Sequence, residues 1–158
     1  MQVSMRQPEF LDGFRRTMRK SEVRCVILAD SHHAMSEGIR GLVASVFNAV
    51  VMVADEVSLI EGASRLESEL AIVDTALSRG NILTLVRRLR VGFPDMKLLV
   101  LGITDQPLLA RRVLDAGAGG FVLKRAVATD LLPAIEAVLA GEFYISPAVT
   151  SFQSRSFN

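Results

Sequence analysis

The chain has a single cysteine, Cys25, so no internal disulfide can form. Cys25 lies within an apolar run and is expected to be a small core residue in a reducing compartment. No apolar stretch approaches the roughly 18 residues that a bilayer crossing needs. Nor does the N-terminus show an apolar signal core followed by small residues. Neither membrane insertion nor secretion is expected, and the cytoplasm is the expected compartment. An excess of charge is lacking too: a formal net charge of +1 gives no global reason to expect nucleic acid. No Ser-His-Asp set, metal triad or P-loop is legible, so an enzyme in the turnover sense is not expected.

What is present fits one domain of 158 residues with a full core. Half the residues are hydrophobic and 22% are charged, the balance of a globular protein rather than a disordered one. Residues 1–21 stand apart as a basic leader, expected to be flexible. Up to Lys20 it carries five basic residues against Glu9 and Asp12, a local +3. Phe10, Leu11 and Phe14 would share one side of a short helix there, and Met18 is a second candidate start. The body is expected over 22–149, and the Ser-rich tail 150–158 is expected to be flexible.

From Val23 onward, apolar runs of strand length alternate with amphipathic stretches. Strands are predicted at 24–29, 50–54, 70–73, 97–102 and 120–123, rich in Val, Ile and Leu without alternation, the pattern of strands buried on both faces. Helices are predicted at 34–47, 57–66, 81–91, 106–116 and 128–140. In the first of these Met35, Ile39, Leu42, Val43 and Val46 form one apolar stripe. Gly117 and Gly141 stop the last two. Five strands alternating with five helices make an α/β fold, a parallel sheet covered on both faces by right-handed crossovers.

Three of these runs end in a charge. Asp30 follows Val26-Ile27-Leu28-Ala29, Asp74 follows Leu70-Ala71-Ile72-Val73, and Lys124 follows Gly120-Phe121-Val122-Leu123. Ligands of open parallel sheets bind beyond the carboxyl ends of the strands. An acidic pocket there, exposed enough to react and suited to a cation and a phosphoryl group, is the expectation.

These ordered features resemble the receiver domain of two-component response regulators (CheY-like), in the branch usually fused to a LuxR-type helix-turn-helix. The resemblance covers about Val23 to Val149. It rests on Val26-Ile27-Leu28-Ala29-Asp30-Ser31-His32 with Glu37-Gly38-Ile39-Arg40-Gly41-Leu42, and on Leu114-Asp115-Ala116-Gly117-Ala118-Gly119-Gly120-Phe121-Val122-Leu123-Lys124. Ala140-Gly141-Glu142-Phe143-Tyr144-Ile145-Ser146-Pro147 resembles the segment that in this branch ends the receiver. The resemblance implies a flavodoxin-like, doubly wound five-stranded sheet of order 2-1-3-4-5 with five helices. It implies that Asp74 accepts a phosphoryl group from a histidine kinase as an acyl phosphate. Lys124 would contact that group, and Asp30, Asp74 and the backbone carbonyl of Ala76 would surround a magnesium ion.

The chain departs from the family pattern in three places. Ser31 stands where the family has a second adjacent acid, which leaves Asp30, Asp74 and Lys124 as the pocket charges and implies weak magnesium binding. Gly102 stands where the family has Thr or Ser, and Thr104 is a distant substitute. Ser78-Arg79-Gly80 replaces a loop proline, with Arg79 either reaching the pocket or solvated. Without a hydroxyl at 102, Phe121 at the aromatic switch position loses its coupling to phosphate and becomes core. His32 and His33 are expected to be solvated, since adjacent residues on a turn point apart and no third metal ligand is suitably spaced.

Three functions stay open at this point. An atypical receiver would act as a signalling protein-interaction module with weakened or absent Asp74 phosphorylation. A phosphorylation-competent receiver would be switched by a histidine kinase, and a flavodoxin-like small-molecule binder is the remote alternative. The last is disfavoured because Asp30-Ser31-His32-His33 offers no Gly-rich phosphate cradle. A homodimer or partner surface is expected on the face built by 106–116, 120–124 and 128–140, with no DNA binding by this chain alone.

Overall fold

The computed structural model describes residues 2–5, 24–79 and 81–149, with 2–5 and 33–34 described by backbone alone. The expectations about the helix around Phe10, Gly80 and the tail 150–158 lie outside the described residues.

Among the described residues, seven strands form one sheet: β1 Gln2–Met5, β2 Cys25–Ala29, β3 Ala49–Val53, β4 Leu70–Asp74, β5 Lys97–Gly102, β6 Gly120–Leu123 and β7 Tyr144–Ile145. Five α-helices alternate with the inner strands: α1 His33–Val43, α2 Glu56–Arg65, α3 Ile82–Gly92, α4 Pro107–Ala116 and α5 Val127–Leu139. The strand order is β1-β3-β2-β4-β5-β6-β7. Its inner five, β3-β2-β4-β5-β6, are parallel and match the expected order.

Each inner strand forms because its side chains are buried on both faces. Every residue of β2, β3, β4 and β6 is buried, as is all of β5 except Lys97. Successive side chains point to opposite faces, and this divides the core in two. Ile27, Ala71, Val73, Val100 and Phe121 pack with Leu59, Leu85, Leu89 and Val113 from α2, α3 and α4. Val26, Leu28, Ile72, Leu99 and Val122 pack with Ile39, Val43, Leu131 and Ile135 from α1 and α5.

Local signals set the helix ends. Asp55 caps α2 by accepting the Ser58 amide at 2.7 Å, and Asn81 caps α3 by accepting the Thr84 amide at 3.1 Å. Pro107 opens α4, and Gly117 follows it at φ +127°, a conformation that favours glycine.

The structure corrects the sequence reading in three details. Part of the leader is a strand: Gln2–Met5 pairs antiparallel with β3 and covers that edge. β7 pairs parallel with β6 at the other edge, so β6 lies inside the sheet and its residues 120–123 form no surface. The first helix ends at Val43 rather than 47, because Val46 and Phe47 turn into the core at 2% and 0% exposure.

Candidate functional site

The parallel register brings the carboxyl ends of β2, β4, β5 and β6 together. Ala29 lies beside Val73, Asp74 beside Leu101, and Gly102 beside Leu123. Asp30, Asp74 and Lys124 therefore meet, as the three charged strand ends predicted. Lys124 Nζ hydrogen bonds to Asp74 Oδ2 and lies 3.2 Å from Asp30 Oδ2. The remaining oxygens hold the backbone: Asp74 Oδ1 accepts the Ala76 amide at 3.0 Å, and Asp30 Oδ1 accepts the His32 amide at 2.8 Å. Asp74 thus caps the short 3-10 turn Thr75–Ser78 while pairing with Lys124.

The expectation of an open, reactive carboxylate is not met. Asp74 is 0% exposed, Asp30 4% and Lys124 7%. Two buried carboxylates repel each other, and the lysine is the cation that balances them. Burial pushes the Asp74 carboxyl upward, but the Ala76 amide and Lys124 outweigh it, so the net shift is downward. Burial likewise pushes Lys124 down, and the bond to Asp74 with the charge of Asp30 carries it above its ordinary value.

Position 102 has a steric reason for being glycine. A Cβ there would fall 2.2 Å from Phe121 Cζ and 2.7 Å from its Cε2. The Phe121 ring, 0% exposed, occupies the space that a side chain at 102 would take. Gly102 and Phe121 are one packing unit, and the aromatic is core, as predicted. The loop after β5 is further tied by Arg125 Nη2, which donates to Asp105 Oδ2 at 3.0 Å. Thr104 and Ser31 are exposed. Arg79 is also exposed, in the left-handed region at φ 42° where it ends the 3-10 turn. Among the described residues, no bond joins it to either carboxylate.

His32 is the exposed helix-entry residue that the sequence predicted, but its neighbours were not foreseen. Its side chain is 61% exposed, yet Nδ1 turns inward, 3.5 Å from Asp30 Oδ1 and 3.7 Å from Asp74 Oδ2. The ligand atoms of Asp30, His32 and Asp74 lie within 4.8 Å of one another, a set that could hold one metal ion. The groups that approach His32 are two strand ends, one of them more than forty residues away in sequence.

The profile of the response regulator receiver domain matches residues 26–136. The chain belongs to that family. It is 30% identical over 127 residues to the transcriptional regulatory protein DegU of Brevibacillus brevis, covering 79% of this chain and 54% of that protein. It is 29% identical over 130 residues to the transcriptional regulatory protein RcsB of Escherichia coli K12, covering 79% of this chain and 60% of RcsB. The chain therefore spans little more than half the length of these curated relatives. Among solved structures, the isolated receiver of RcsB from Salmonella enterica serovar Typhimurium, in the presence of the phosphomimetic BeF3-, superposes with a TM-score of 0.73. That match has 27% identity and covers 82% of this chain and 98% of the other. Within this receiver, Asp30, Asp74 and Lys124 sit at the carboxyl ends of β2, β4 and β6.

No helix among the described residues is long and apolar enough to cross a membrane. On the flank of the sheet, α4 and β7 border a groove of about 370 Å³ lined by Pro107, Arg111, Leu114, Asp115, Phe143 and Ile145.

Proposed function

We propose that this receiver is a cytoplasmic signalling interaction module in which Asp74 is phosphorylated weakly or not at all. One observation carries the reading: position 102 has no side chain, and the Phe121 ring fills the space that one would take. Capture of a phosphoryl group by a hydroxyl at that position is closed to this chain, and Phe121 is held as a core residue. Two further features support it. Asp74 lies wholly beneath the surface, with both oxygens engaged. Ser31, exposed and neutral, replaces an acid that a hard cation would use.

Magnesium would have to be held by Asp30, Asp74 and the Ala76 carbonyl. These residues fit it poorly: Lys124 already contacts both carboxylates, so the pocket presents a net formal charge of only −1 to an arriving ion. No step is assigned to that ion here.

The competing reading is a phosphorylation-competent receiver switched at Asp74 by a histidine kinase, and the convergence of Asp30, Asp74 and Lys124 favours it. Asp74 would then be the nucleophile, and Lys124 would transfer its contact from the carboxylate to the phosphoryl oxygens. A partner or second copy would dock along α4 and the adjoining groove, where Leu108 is 59% and Phe143 73% exposed beside Arg111 and Asp115. No DNA contact is assigned to this receiver by itself.

Intact-mass measurement after incubation with acetyl phosphate and magnesium separates the two readings. The module predicts no adduct, or a trace, in folded protein. A substantial adduct lost in Asp74→Asn would establish the competent switch instead.

A further inference from the structure

We infer that the outer edge of β3 is a pairing site for a second copy of this chain, and that β1 is the built-in guard that keeps it closed.

The two ends of the parallel core are protected differently. Beyond β6 stands β7, only two residues long and followed by Pro147, and both shortness and proline discourage further pairing. β3 has no such protection of its own. Ala49-Val50-Val51-Met52-Val53 holds no charge, proline or glycine, and its register with β2 runs through all five residues without a bulge. An unbroken apolar strand with a row of unpaired backbone groups is a template for another strand. What stands over that edge is β1, along Ala49 to Met52. It replaces a wholly apolar edge of five residues by an edge of four that contains Gln2 and Ser4.

The attachment of β1 is loose by its chain connection. Met5 and Cys25 both stand opposite Ala49, one on each side, so they lie two strand spacings apart, about 10 Å. Residues 6–24 join them, a length that reaches about 60 Å when fully extended. A tight hairpin would force β1 onto β3, and this connection does not. β1 is also the last strand of the sheet, with one neighbour, and it lies at a chain end, where local opening costs least.

β1 also shows which occupant fits. It runs antiparallel to β3, with Val3 opposite Val51. A second copy related by a two-fold axis at Val51 presents its own β3 in the same antiparallel sense. Val51 then stands opposite its counterpart, Val50 opposite Met52 and Ala49 opposite Val53, so every cross-strand pair is apolar. The acids that follow the strand, Asp55 and Glu56, fall at opposite ends of such a pair and do not meet. The two sheets join into one, while the groove between α4 and β7 stays free at the far end of each.

The test releases β1 in the full chain and reads the association that follows. Successive amides of a strand point to opposite edges, so one of those at Val3 and Ser4 faces β3, and Val3→Pro with Ser4→Pro removes it. Glycine at all of positions 2–5 is a second release variant that weakens the strand without proline. Val51→Cys reports the pairing, because opposed Cα atoms of antiparallel strands lie about 4.5–5.5 Å apart, within reach of a disulfide. By light scattering at equal concentration, both release variants should rise to about twice the wild-type mass. Under mild oxidation, Val51→Cys should cross-link two chains in either release variant and give no more than a trace where β1 is intact. Chains that keep only the buried Cys25 should not cross-link. Folded release variants of unchanged mass would overturn the inference. So would a cross-link just as abundant with β1 intact, or association that yields no cross-link at position 51.

Discussion

Gly102→Ala is the most direct probe of the lock in this pocket. The added methyl carbon would sit 2.2 Å from Phe121 Cζ and 3.1 Å even from its Cε1, so the ring must move. Two routes are open, and both cost free energy. If the ring stays inside, the core packed around it must shift, an overpacking strain of about 1–3 kcal/mol. If it swings out, a fully buried aromatic is exposed, at about 1.5–3 kcal/mol. The variant should therefore lose about 1–3 kcal/mol, read as a fall of about 1 M in the urea midpoint. Phe121→Leu removes the three ring atoms nearest to the new methyl. In that background Gly102→Ala should cost less by about 1 kcal/mol, a coupling that a double-mutant cycle reads directly. Wild-type stability in Gly102→Ala, or strict additivity with Phe121→Leu, would refute the interlock.

The charge cluster yields two further predictions. Lys124→Met leaves Asp30 and Asp74 buried without their cation and should cost about 3–5 kcal/mol in urea denaturation, partly recovered by adding Asp74→Asn; a loss under about 1 kcal/mol would mean that the carboxylates are solvated instead. The pH dependence follows from the two shifts, downward for Asp74 and upward for Lys124. The Asp74 contribution is complete above its unfolded value of about 3.9 and is lost as the pH falls through the lower folded value. The Lys124 contribution is complete below its unfolded value of about 10.4 and is lost as the pH rises through the higher folded value. Thermal melts should show this part of the stability flat between those limits, and a Lys124→Met, Asp74→Asn chain should lack it.

Most of the fold was legible because buried parallel strands leave a plain mark. Cys25–Ala29, Lys97–Gly102 and Gly120–Leu123 are continuous apolar runs, and each boundary lies within a residue of the expected one. The edge strands were not legible. Gln2–Met5 and Tyr144–Ile145 form because a neighbouring strand offers free hydrogen-bonding groups, and that offer is made by the tertiary fold rather than by local composition. The buried Ser146 was missed for the same reason: its hydroxyl accepts the Leu123 amide at 3.0 Å across 23 residues. Chain spacing placed Asp30, Asp74 and Lys124 together, since a strand end is a position that sequence can count. It could not reveal that Asp74 is wholly buried, because burial depends on what closes over the strand end.

The departures at Gly102 and Ser31 look, in sequence, like two independent losses from one pocket. In three dimensions each is matched by a neighbour. Gly102 is complemented by a ring that needs its empty volume, so restoring a side chain there is a packing error before it is a gain of function. Ser31 stands beside His32, whose Nδ1 lies 3.5 Å from Asp30 Oδ1 and 3.7 Å from Asp74 Oδ2. The volume at 102 is filled by the Phe121 ring, and Lys124 offsets one of the two buried negative charges. The cost of reversing either change therefore falls first on stability. That gives a physical reason for testing Gly102 together with Phe121, and the carboxylates together with His32, as pairs rather than one residue at a time.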